Sequence, residues 1–172
     1  MSGHQAESPR LRAGVLSARF GLNTPSGSVI FLIALVVGAI YALSILDVSF
    51  ILGRNAYWTE PYGDQIQHRI GALYFVQDEW RFPLSFVPKL GLPEGANIVF
   101  TDSLPLLALV FKVVYKASGE WFNYFGLWIF ACFPLLAAGI VLATKEAGVD
   151  DLTGLLGASL LALASPAFLM RF

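Results

Sequence analysis

Three charge-free apolar runs stand out along the chain, and each is long enough to cross a bilayer, which takes about 20 residues. The first runs from Phe20 to Leu46 with its apolar heart at Val29–Leu46, the second covers 121–144 and the third covers 152–170. The first outlasts the apolar core of a signal peptide, roughly 7–15 residues, and no small-x-small cleavage site follows it. It reads as a retained anchor. A fourth run, Ser103–Phe111, is too short to span and continues into Lys112-Val113-Val114-Tyr115-Lys116. Lys112 and Lys116 share one helical face with Ala108, while Leu106, Leu107, Val110, Val113 and Val114 lie mostly elsewhere around the helix. Such a pattern predicts a helix at the membrane surface.

The segment 47–120 between the first two spans is too polar for lipid and too patterned for a disordered linker. Ile66, Ile70, Leu73 and Tyr74 recur at helical spacing and predict a helix over 64–80, which Pro83 closes. Gly91-Leu92-Pro93-Glu94-Gly95 is a turn by composition, and Asn97–Phe100 a short extended piece. The expected organisation is a tail (1–27), spans at 28–46, 121–144 and 152–170, and a long loop (47–120) with helices near 64–80 and 103–116. The fold class is therefore an all-α polytopic membrane protein.

Composition agrees with this pattern. Charged residues are 13% and hydrophobic residues 56% of the chain, and soluble domains carry about 25% charged residues. Mean hydropathy is +0.67. The net charge of −1 supplies no basic patch, so nucleic acid is not an expected partner. Arg10, Arg12 and Arg19 in the tail, against Glu7, favour a cytoplasmic N-terminus and an exported 47–120 loop. The single Cys132 forms no intrachain disulfide and offers no zinc spacing.

The densest chemistry lies in Tyr62-Gly63-Asp64-Gln65-Ile66-Gln67-His68-Arg69. Asp64 and His68 are one turn apart, so their side chains can meet on one helical face. Asp64 suits a general base or a metal ligand. It equally suits a helix N-cap, with Gln67 completing a capping-box pattern. Asp102 or Ser103 would cap the 103–116 helix, with Pro105 in its first turn. Lys112 and Lys116 would either hold a lipid phosphate or snorkel to anchor their helix.

The wording Gly63–His68, Trp80-Arg81-Phe82-Pro83-Leu84, Gly91–Gly95 and Phe100-Thr101-Asp102-Ser103, followed by Leu104-Pro105-Leu106-Leu107, resembles an uncharacterised bacterial membrane family. That family is usually considered similar to the GT-C membrane glycosyltransferases, and the match spans about residues 28–172. The resemblance implies an enzyme of the bacterial inner membrane that moves a sugar from a polyprenyl-phosphate donor to an exported acceptor. Asp64 matches the acidic position early in the first exported loop and would be the catalytic base. His68, Asp102, Lys112 and Lys116 would bind substrate, with a lysine on the departing phosphate. Many such enzymes have adjacent acidic residues here. Asp64 is instead followed by Gln65, which leaves the cofactor open between none and a divalent metal. Membrane lipid and further spans of a longer parent chain, or other membrane subunits, are the expected partners. The other reading is a non-catalytic scaffold, envelope-complex subunit or lipid carrier, in which Asp64 and Asp102 only cap helices.

Overall fold

The computed structural model describes residues 27–60, 62–149 and 151–165. It is mostly helical and divides into two compact units, one comprising Leu43–Ala131 and the other the chain up to Ala42 and from Cys132 onward. The first apolar run forms helix α1 (Gly27–Ile45) and the second forms α6 (Phe125–Glu146). Both are long and apolar enough to cross a membrane. The described part of the third run is the shorter helix α7 (Leu152–Leu163). The tail up to 26 and the end of that run, including Pro166, lie outside the described residues.

In the unit formed by the chain ends, α1 buries a row of small residues, and α6 buries Phe133 together with smaller ones. On α1, Ala34, Gly38 and Ala42 are spaced four apart on one buried face, while Leu32, Val36, Ile40 and Leu43 point outward. Gly38 sits against the backbone of Pro134, where a Cβ would have no room. On α6 the buried positions include Ala137, Ala138 and Val141, and Leu135 and Leu142 are exposed. Small residues allow backbones to approach closely. Ser159 of α7 donates to the Ala137 carbonyl at 3.0 Å and to Leu155 at 3.1 Å, so its buried hydroxyl is satisfied.

The Leu43–Ala131 unit begins with two short helices, α2 (Val48–Ile51) and α3 (Ala56–Thr59). Asp47 caps α2 by accepting from the Ser49 amide at 2.7 Å. Next comes α4 (Asp64–Gln77), then a two-stranded antiparallel ribbon, β1 (Phe86–Val87) with β2 (Ala96–Asn97). Its register pairs Phe86 with Asn97 and Val87 with Ala96 around the Gly91–Gly95 turn. A 3₁₀ turn (Ile98–Thr101) follows, where the sequence suggested an extended piece, and leads to α5 (Pro105–Ser118). Asn97 sets this turn by accepting from the Val99 amide at 3.0 Å while donating to Ser85 at 2.8 Å. Trp58, Phe75, Val76, Val87, Ile98, Tyr124 and Phe125 form the core. Each such fully buried apolar side chain is worth roughly 1.5–3 kcal/mol relative to exposure in water.

Helices α4 and α5 pack on each other through unexpected faces. On α4 the buried residues are Gly71, Ala72, Phe75 and Val76. The periodic stripe faces out, with Ile66, Ile70 and Tyr74 about 40% exposed at 39%, 40% and 42%. On α5 the buried residues are Ala108 and Lys112, whereas Leu106 is 83% exposed and Val110, Val113 and Val114 also face outward. The lysine face of α5 is thus the packed face, and the apolar face is the outer one.

Candidate functional site

The sequence-predicted polar residues divide between the two ends of α4. At its start, Gly63 occupies the N-cap with φ 61, and Asp64 is the first helical residue. Two expectations are corrected here. Asp64 is not the cap, and Gln67 does not close a capping box. Gln65 instead accepts from the Tyr62 amide at 3.3 Å, and Gln67 reaches across to donate to the Phe100 carbonyl at 3.0 Å. The Asp64 carboxylate is exposed and, among the described residues, holds no hydrogen bond or ion pair. Asp64 stands in the first turn of α4, at the positive end of the helix dipole.

One turn on, His68 does not pair with Asp64. Its Nδ1 lies 3.1 Å from the Thr101 carbonyl oxygen, so that nitrogen carries the proton if the contact is a hydrogen bond. The loop it meets is tightly fixed. Ser103 donates to the His68 carbonyl at 3.0 Å, and its hydroxyl lies 2.6 Å from that of Thr101. Thr101 also bonds the Ile98 carbonyl at 2.8 Å, and the Tyr124 hydroxyl donates to the Ser103 carbonyl at 2.6 Å. A Cβ on Gly71 would collide with the Thr101 and Ser103 hydroxyls, so glycine is what allows this loop to lie on α4.

Asp102 and Leu104 flank Ser103 with φ values of 49 and 52. Aspartate tolerates the left-handed region; leucine there costs on the order of 1–2 kcal/mol. The buried ties of Ser103 hold that strain in place. Leu104, not Asp102 or Ser103, is the N-cap of α5, with Pro105 in its first turn. The capping expectation is corrected on this point as well: Asp102 is exposed, and Ser103 uses its hydroxyl on His68 and Thr101.

The lysines belong to the opposite end of α4. Lys112 is 1% exposed, its ammonium donating to the Glu79 carbonyl at 3.0 Å and lying 4.2 Å from the Phe75 ring centroid and 4.9 Å from that of Trp80. Lys116 reaches the Gln77 carbonyl at 3.3 Å. Thirteen helical rises separate Asp64 from Gln77, a span of roughly 20 Å. The structure therefore brings His68 and the Asp102 loop together near Asp64 but does not place the lysines with them. Lys112 is neither a snorkelling anchor nor an open phosphate ligand, because its ammonium is already enclosed.

Burial pushes the Lys112 ammonium below the ordinary lysine range, and Lys116 and Arg81 add to that against the opposing pull of Asp78. Burial alone would raise Asp78. The bidentate hydrogen bond from Arg81 (2.8 and 3.0 Å), the Glu79 amide and the charges of Arg81 and Lys112 outweigh it and hold the carboxyl below its usual value. Sequence reading missed this Asp78–Arg81–Lys112 cluster. Its only sequence signal is the Asp78–Arg81 spacing of three. It also missed Tyr124, Thr101 and Ser103 as the clasp of the loop. No group of three or more His, Cys, Asp or Glu side chains among the described residues is placed to hold a metal ion.

A family profile described as a domain of unknown function, DUF6311, matches residues 34–172. The chain belongs to this family. That description assigns no activity, and the matched stretch takes in the later part of α1, all of α6 and the whole Leu43–Ala131 unit. No curated protein and no solved structure matches the chain.

Proposed function

We propose that this chain is an integral membrane protein of the bacterial inner membrane, with the Leu43–Ala131 unit exported and seated at the membrane surface. The observation that carries this reading is the outward turn of the apolar faces. In water, the exposed stripes of α4 and α5 would be a large unpartnered apolar surface. Against lipid they are the correct outer surface, and the close approach of α1 to α6 at Gly38 fits the same environment. The 152–170 run, of which α7 is the described part, is the third span of this reading.

Within that setting Asp64 is the proposed catalytic base of sugar transfer from a polyprenyl phosphate to an exported acceptor. Support comes from the resemblance in the loop wording and from the state of the side chain, a carboxylate that is exposed, unpaired and free of the capping duty. A base must reach the proton that it removes, and this one is not engaged elsewhere. The donor phosphate is not assigned to Lys112 or Lys116, which serve the far end of α4. The same fact favours a second reading, a non-catalytic subunit in which the 67–103 hydrogen bonds are structural only.

Asp64→Asn in the full-length protein separates the two. Asparagine keeps the shape but cannot take up the proton, so transfer of lipid-linked sugar should fall by about 10²–10⁴-fold. Expression and membrane insertion should stay normal, with a stability cost under about 1 kcal/mol. Asp102→Asn is the control and should keep most activity. Transfer at the parental rate by Asp64→Asn rejects the base, and absence of transfer by the parent across a broad donor panel favours the subunit.

A further inference from the structure

A cavity of about 600 Å³ opens inside the Leu43–Ala131 unit and meets α4 at Arg69. Arg54 and Arg69 line it, together with an apolar wall of Phe111, Trp121, Phe122 and Leu127. Arg69 is positioned by two carbonyls, Trp58 at 2.8 Å and Thr59 at 3.4 Å, both taken by Nη1. Its other guanidinium nitrogens, and all those of Arg54, have no partner among the described residues. Glu120 also lines the cavity, but it forms no ion pair with either arginine. Two permanent positive charges thus face one carboxylate in a recess whose other wall is aromatic. Phe111 and Phe122 stack at 5.3 Å between ring centroids, which fixes that wall.

We propose that this cavity binds the phosphodiester headgroup of an anionic phospholipid, with the start of an acyl chain along the aromatic wall. Guanidinium presents paired N–H donors that match phosphate oxygens, and it stays charged at any physiological pH. A bare phosphate, only a few times the roughly 30 Å³ of a water molecule, would leave most of the space empty. An amphiphile fills both halves. It also has an exit, because Val114 and Leu127 line the cavity and are themselves exposed, at 43% and 40%. Val114 continues the outward stripe of α5 through Val110, one turn away, so an acyl chain leaving the cavity stays on apolar surface. This assignment rests on the membrane reading above, since only a chain in a bilayer meets such a ligand in quantity.

The test uses the full chain, purified in mild detergent and titrated with phosphatidylglycerol or phosphatidylcholine, with bound lipid read by native mass spectrometry. Phosphatidylglycerol should bind about ten-fold more tightly than phosphatidylcholine, and Arg54→Gln should remove that preference. Arg54 is exposed and unpartnered, so its replacement does not threaten folding. Arg69→Gln should act likewise, with circular dichroism checking that the α3–α4 connection is kept. Equal affinity for the two lipids, or an unchanged preference in Arg54→Gln, overturns the site. Displacement of the lipid by millimolar inorganic phosphate overturns the lipid assignment too. Carbonate extraction of native membranes is run alongside. A chain that resists carbonate yet shows no lipid preference refutes the cavity alone, whereas a chain that washes off refutes the membrane reading.

Discussion

At the scale of single residues, the least expected feature is where the charges go. Asp64, which the sequence marks for chemistry, is free, while Asp78, which it does not mark, is embedded with 7% of its side chain exposed. The depressed Asp78 carboxyl has a defined consequence. A carboxyl whose folded pKa lies below its unfolded value adds stability above about pH 3.9, and that stability is lost as pH falls through the folded value. Asp78→Asn should therefore destabilise the protein at neutral pH by on the order of 1 kcal/mol, a modest figure because Arg81 is 35% exposed and screened by solvent. Thermal unfolding of parent and variant in the same detergent checks this. The gap between them should close as pH drops below 4, where the parent carboxyl becomes as neutral as the amide. A gap that persists into acid would mean that Asp78 acts through packing rather than charge.

Among the elements, α4 and α5 show what periodicity conveys and what it omits. The spacing of Ile66, Ile70, Leu73 and Tyr74 marks a helix, and so does the grouping of Ala108, Lys112 and Lys116 on one face of the next. Which face turns inward depends on the medium outside, and spacing carries no information about that. Nor is the Glu79 carbonyl that receives Lys112 visible from 33 positions away in sequence. The α4 terminus was read near Trp80 from the proline rule, but the helix stops at Gln77, just ahead of the Asp78–Arg81 pair that organises 78–81. The short helices α2 and α3 are four residues each and leave no periodic trace. The two lysines of α5, alike in sequence, should now behave differently. Lys112→Ala should cost about 2 kcal/mol or more, because it empties a packed position and removes the donor to Glu79. Lys116→Ala, exposed and at 3.3 Å from its carbonyl, should change stability by less than about 0.5 kcal/mol. Equal and small effects in a thermal unfolding comparison would return Lys112 to the surface.

For the whole molecule, run length in the sequence located the two helices, of 18 and 22 residues, that are long and apolar enough to cross a membrane. The surface chemistry needed the structure. On α1, Ala34, Gly38 and Ala42 are buried behind exposed Leu32, Val36 and Ile40, and in a different unit α5 likewise turns Leu106, Val110 and Val113 outward. Under the proposed membrane reading a single environment, lipid around the outer faces, accounts for both. The decisive measurement is a nitroxide scan along α5 in reconstituted bilayers, in a Cys132→Ser background. Labels at Leu106, Val110 and Val113 should be accessible to oxygen, shielded from a water-soluble nickel reagent and similar in depth, as for a helix lying along the membrane surface. Free access of the nickel reagent to those three positions would contradict a lipid-facing α5 and with it the proposed seating of the exported unit.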